Sequence, residues 1–200
     1  MLAGIKKPLL LLLLLSLLAA CSSQPLPPPA QEELLPNAEL WHWRAQGRLA
    51  IKTPNDGQTL NLDWQQDGYS YQLQIFGPLG QGSARLDGRP FYVTLVTSDG
   101  QTLQAASPEQ LLRQGLGLQL PLSNMVYWIR GLPAPGPYQQ LNTSSLLQDG
   151  WQLEWRRFTQ VEERRLPALL VANQGDLEIR LAIHSWQLFS SNEQDFAEQP

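Results

Sequence analysis

Leu60-Asn61-Leu62-Asp63-Trp64, the pair Asp67-Gly68, and Tyr69-Ser70-Tyr71-Gln72-Leu73-Gln74-Ile75 decide the fold class of this chain. Apolar and polar residues alternate with a period of two on both sides of a turn dipeptide. That period sends every second side chain to the same face of a strand. Asp-Gly supplies the backbone conformations of a tight hairpin. The stretch therefore predicts two antiparallel strands with one apolar face.

The pattern extends outward. Upstream, Leu49 and Ile51 alternate with Arg48, Ala50 and Lys52, and Pro54-Asn55-Asp56-Gly57 predicts a hairpin turn. Further upstream, Leu34, Ala38, Trp41 and Ala45 fall near helical spacing, with Pro36 in a first turn. They predict a short amphipathic helix ending near Gly47. Downstream, Gly77-Pro78-Leu79-Gly80 turns the chain. Ala84 and Leu86 follow, Asp87-Gly88 predicts a turn, and Phe91, Val93 and Leu95 alternate again. Asp99-Gly100 marks another turn before Leu103 and Ala105.

Ser107-Pro108-Glu109-Gln110 breaks the alternation. Ser107 can cap a helix, Pro108 suits its first position and Gln110 completes a capping box. Leu111 and Leu112 then face the sheet, and Gly115 ends the turn. Ser123 is the expected cap of a second helix carrying Met125, Val126, Trp128 and Ile129, stopped by Gly131 and Pro133. Strands resume with one from Tyr138 to Leu147, then Trp151, Leu153 and Trp155. Leu166 to Val171 reads as an edge strand or a helical turn, because Pro167 weakens a central strand. Leu177, Ile179, Leu181 and Ile183 alternate toward Trp186 and Leu188. The result is mostly β, of the α+β class. A single curved antiparallel sheet with helices on one face fits best, and a closed barrel competes with it.

The N-terminus carries a different signal. Lys6 and Lys7 precede an unbroken apolar run from Leu9 to Leu15, and small residues lead to Cys21. This is the layout of a secretory signal peptide, and it is short for a transmembrane span. Leu18-Ala19-Ala20-Cys21 resembles a bacterial lipobox, which implies cleavage before Cys21 and lipidation of that residue. Ser22 in the next position implies passage to the outer membrane. The expected organisation is a signal peptide over 1–20, a lipidated cysteine and Pro-rich tether over 21–31, a domain over 32–189, and a polar tail over 190–200.

Composition excludes several classes. The formal charge of −4 becomes two units more negative once Lys6 and Lys7 leave with the signal. No basic run exists, so nucleic acid is not an expected partner. Cys21 is the only cysteine, so no internal disulfide can form. With just His42 and His184 beside it, zinc sites of the Cys/His kind are not expected, nor is any other metal or cofactor. No Gly-x-Ser-x-Gly, Walker or His-Glu-x-x-His motif occurs. The two histidines read as structural or surface residues, and no catalytic residue is assigned.

Seven tryptophans are many for 200 residues. Singly, each reads as core. Together they can line a concavity between sheet and helices suited to an acyl chain. The expected lining is Leu62, Trp64, Leu73, Ile75, Leu95, Met125, Trp128, Trp151, Trp155 and Ile179. In Pro78-Leu79-Gly80, Leu79 falls at the turn's tip. Exposed there, it would gain roughly 1.5–3 kcal/mol on entering an apolar phase.

Gly47-Arg48-Leu49-Ala50, Trp64-Gln65-Gln66, Gly77-Pro78-Leu79-Gly80, Asp99-Gly100, Leu120-Pro121-Leu122 and Tyr127-Trp128-Ile129-Arg130-Gly131-Leu132-Pro133 resemble, in that order, the outer-membrane lipoprotein receptor family LolB. The resemblance implies an unclosed antiparallel barrel with helices covering an apolar cavity. It implies acceptance of acylated lipoproteins from the periplasmic carrier LolA and their placement in the inner leaflet of the outer membrane. It further implies a lipid-anchored monomer facing the periplasm, with Leu79 in a membrane-insertion loop. A generic binder of hydrophobic ligands and a periplasmic hydrolase using His184 or carboxylates are the alternatives.

Overall fold

A computed structural model describes residues 37–78 and 82–189. Eleven strands form one antiparallel sheet: β1 His42–Lys52, β2 Gly57–Asp67, β3 Ser70–Phe76, β4 Ala84–Arg89, β5 Tyr92–Thr97, β6 Thr102–Ala105, β7 Gln139–Asn142, β8 Ser145–Gln148, β9 Trp151–Val161, β10 Arg164–Gln174 and β11 Leu177–Leu188. Their order across the sheet is β6-β5-β4-β3-β2-β1-β11-β10-β9-β8-β7. β6 and β7 do not pair with each other, so the barrel is unclosed, and the closed alternative is excluded. Two helices, α1 Pro108–Leu116 and α2 Leu122–Trp128, connect the two halves, and α1 packs on β5, β6 and α2.

Alternation builds the core. Leu62 and Trp64 on β2, Leu73 and Ile75 on β3, and Leu86 on β4 are buried with Leu95 on β5. Their neighbours Asp63, Gln74 and Arg85 turn to the other face, where water solvates them. Leu111 and Leu112 of α1 and Met125 and Trp128 of α2 are buried in the same core.

Several expected boundaries move. Among the described residues no α-helix precedes Gly47, and Leu34 and Pro36 of the expected one lie outside them. A 3-10 turn, Asn37–Glu39, leads directly into β1. Trp43, Ala45, Leu49 and Ile51 also obey a period of two, and pairing with β2 and β11 on both sides selects the strand. Gly47 lies at a register shift rather than a helix end. A Cβ there would meet the Ala182 carbonyl oxygen at 2.3 Å. Asp87-Gly88 is not a turn. Gly88 pairs with Tyr71 and Val93 inside β4, and the hairpin turns at Pro90-Phe91. The reason is packing: a Cβ on Gly88 would lie 2.1 Å from the Tyr71 ring.

α1 runs past Gly115, which packs on Leu95, and ends at Gly117 with φ 67°. Ser107 accepts from the Gln110 N–H as expected of a cap. Ser123 does not cap α2. Its backbone N–H donates instead to the Glu109 carboxylate, 2.7 Å away on α1. Tyr138 to Leu147 holds a hairpin of two short strands, β7 and β8, rather than one strand. Leu166 to Val171 lies in β10, between β9 and β11 and not at an edge. Pro167 is tolerated because register shifts there against β9, and pairing with β11 begins only at Leu169.

Candidate functional site: an aromatic recess at one end of the open sheet

A recess of about 350 Å³ opens where the entry to β1, the β2–β3 and β4–β5 hairpins, the first turn of α1 and one side of α2 meet. Its walls include Trp41, Tyr69, Tyr71, Phe91 and Tyr127, with Val93, Pro108, Leu122 and Val126 adding aliphatic surface. Gln66 and Arg89 contribute polarity. The volume falls within the roughly 300–1,000 Å³ usual for small-ligand sites, and an apolar lining with few polar groups is their ordinary chemistry.

The aromatic wall is braced from behind. Trp41 lies 5.5 Å from Tyr69 and meets Tyr127 edge-on at 6.0 Å. Arg130, fully buried, sets its guanidinium 4.3 Å over the Trp41 ring and 5.1 Å over Tyr127. Its Nε donates to the Val126 carbonyl at 2.9 Å and its Nη1 to the Leu40 carbonyl at 2.8 Å. Burial pulls its pKa down, to about 10. Asn37 donates to the Arg130 and Arg165 carbonyls, fixing the entry to β1 against the exit of α2.

Glu109 holds the two helices together. Its carboxylate accepts from the Ser107 hydroxyl at 2.6 Å and from the Ser123 N–H at 2.7 Å. Partial burial works to raise its pKa, but these donors prevail and hold it below the usual carboxylate value. A carboxylate at the start of α2 is also favoured by the helix dipole.

Two features of the recess are unrelieved. Phe91 is 91% exposed and has φ 62°. Pro90 fixes its own φ near −65°, and the positive φ that follows it is one that glycine adopts more readily than phenylalanine. Tyr71 buries its hydroxyl with no hydrogen-bond partner among the described residues. Burial, and then the nearby carboxylates of Glu109 and Asp87, push its pKa well above the ordinary phenol value, so it stays a proton donor.

The ten residues expected to line the cavity are brought together, but as packed core. Leu62, Trp64, Leu73, Ile75, Leu95, Met125, Trp128, Trp151, Trp155 and Ile179 are all buried in one cluster, and none lines the recess. Trp64 donates to Gln66, Trp128 to the Gln148 side chain and Trp155 to the Trp128 carbonyl, at 2.8–3.1 Å. Met125 and Trp128 of α2 are buried in that cluster. Pro78 is exposed, whereas Leu79, Gly80 and Cys21 lie outside the described residues. His42 bonds Asp67 at 2.6 Å, and His184 is exposed.

A family model described as "Outer membrane lipoprotein LolB" matches residues 41–186. The chain belongs to the LolB family. A protein named outer-membrane lipoprotein LolB from Ectopseudomonas mendocina is 40% identical over 156 residues, covering 75% of this chain and 76% of that one. Its namesake from Pseudomonas paraeruginosa is 41% identical over 157 residues, again 75% and 76%. That from Coxiella burnetii is 39% identical over 150 residues, 72% and 71%. Among solved structures, a LolA superfamily protein from Nitrosomonas europaea shares the fold at TM-score 0.50 and 10% identity, covering 78% of this chain and 90% of that one. A DUF1329 family protein from Desulfovibrio piger does so at 0.50 and 6%, covering 76% and 87%.

The recess residues of this LolB-family chain were missed from sequence, apart from the helix positions that belonged to the core pattern. A signal was present in Tyr127-Trp128-Ile129-Arg130. Spacing of three across the end of α2 brings Arg130 back over Tyr127, where a cation and an aromatic can stack.

Proposed function

We propose that this chain is an outer-membrane receptor, anchored through Cys21 and facing the periplasm, that accepts lipoproteins from the soluble carrier LolA and inserts them into the outer membrane. The observation that carries the reading is an apolar, helix-covered recess at the open end of a LolB-family sheet. Acylated cargo cannot cross water with its chains exposed, since each buried methylene is worth about 0.8 kcal/mol. Transfer therefore needs a succession of apolar sites, each more favourable than the last, and no other source of energy. Chains enter at the recess and extend toward Met125 and Trp128 as α2 yields. Pro78-Leu79-Gly80 then dips into the leaflet and eases release.

Transfer of radiolabelled lipoprotein from the carrier to vesicles bearing the full chain tests this. Label should leave the carrier and enter the vesicles only when the chain is present. Label that stays on the carrier would overturn the proposal. Leu79→Glu should leave withdrawal from the carrier intact and slow insertion several-fold. Insertion at the parent rate would remove the loop from the mechanism.

A further inference from the structure

We infer that the Tyr71 hydroxyl is the recess's polar recognition element, donating a hydrogen bond to the ester carbonyl of a glycerol-linked acyl chain. The inference rests on the reading that the recess receives acyl chains, and adds the group that distinguishes an acyl ester from plain hydrocarbon.

Three observations place this role on Tyr71. The residue lines the recess, and its hydroxyl is buried without an acceptor among the described residues. A buried hydroxyl with no partner costs about 1–3 kcal/mol and calls for an explanation, and on the wall of a recess an acceptor brought by a ligand supplies one. The ring is also held in place. It lies over Gly88, where any Cβ would intrude, and meets Trp64 edge-on at 6.3 Å. β4 thus gives up a better strand residue at position 88 to seat this phenol.

The donor suits the ligand. An ester carbonyl accepts and cannot donate, and the phenol remains protonated in this setting. Glu109 and Asp87, the nearby carboxylates, oppose a second anion but not a neutral carbonyl. Phe91 and Tyr69 at the mouth offer apolar surface to the chain beyond the ester. The same ester chemistry occurs in the diacylglyceryl cysteine of a lipoprotein and in a bilayer phospholipid.

The test compares two probes on the full chain in dodecyl maltoside, a detergent without esters. One probe is a diacylglyceryl-cysteinyl peptide, the other its dialkyl ether counterpart. The parent chain should bind the ester about tenfold more tightly, the value of one well-placed hydrogen bond. Tyr71→Phe should bind both at the ether's affinity, and should unfold in urea no earlier than the parent. Equal binding of both probes by the parent, or a preference that survives Tyr71→Phe, overturns the role of Tyr71 alone. Failure of the parent to bind either probe overturns the acyl-receiving reading and this inference with it. A third arm with phosphatidylglycerol separates the sources: tighter binding of the peptide assigns the carbonyl to lipoprotein, and the reverse assigns it to phospholipid.

Discussion

The interior around Trp128 and the recess lined by Leu122, Val126 and Tyr127 of the same helix are built from similar residues and treated in opposite ways. In the interior, Trp128 and Trp155 donate to buried acceptors, and Gln148 both accepts from Trp128 and the Ala134 N–H and donates to the Ala134 carbonyl. At the recess, Tyr71 Oη and, behind the Trp41 wall, Arg130 Nη2 are buried with no partner among the described residues, and Phe91 holds a conformation suited to glycine. Packing with every polar group answered serves stability. Packing with groups left over marks the place where stability yields to another requirement.

The widest test of that contrast is Trp128→Ala. It removes a fully buried indole and one of the three bonds to the Gln148 side chain, which keeps its two bonds to Ala134, so it should cost about 3–5 kcal/mol in equilibrium urea unfolding. A loss below about 1 kcal/mol would mean that the interior is as loose as the recess. The opposite sign is expected for Phe91→Gly. Relief of the left-handed backbone should outweigh the lost side chain, which touches little, and stabilise the fold by about 1 kcal/mol. Probe binding should fall in the same variant. Destabilisation by Phe91→Gly would place Phe91 with the structural residues.

The smallest effect concerns a fully answered polar group on the outer face. Asp63 accepts from Arg44 Nε at 2.8 Å, from Arg44 Nη2 at 2.6 Å and from Gln46 at 2.8 Å. Burial works to raise its pKa, but the bonds from Arg44 and Gln46 prevail and hold it below the ordinary value. Its contribution is therefore complete above the unfolded-state pKa of about 3.9 and disappears as pH falls through the lower folded value. Asp63→Asn should cost about 1 kcal/mol at pH 7, and urea midpoints of parent and variant should converge below about pH 4.

The strands were legible because period two is local: β2, β3, β9 and β11 follow from residues a few positions apart. β1 was not, because Leu34, Ala38, Trp41 and Ala45 mimic a helical face while Trp43, Ala45, Leu49 and Ile51 mark a strand. Only pairing on both sides decides between them. Asp87-Gly88 misled for a similar reason. The glycine that local rules assign to a turn is needed for space against Tyr71, a contact set across two strands. The recess was illegible because its wall is assembled from Trp41, Tyr69, Phe91 and Tyr127, which meet only after the entry to β1, two hairpin ends and a helix are in place. Spacing foresaw the tryptophan-rich centre correctly as apolar, but it cannot distinguish a filled volume from an empty one.

One further consequence follows from the missing pairing of β6 with β7. In a barrel sealed all round, strand number and stagger fix the girth, and widening it means tearing backbone bonds. Here the seam is bridged by helices rather than by strand-to-strand bonds. No strand-to-strand bond therefore sets the girth, and a change of curvature at this seam would leave every existing strand pair intact.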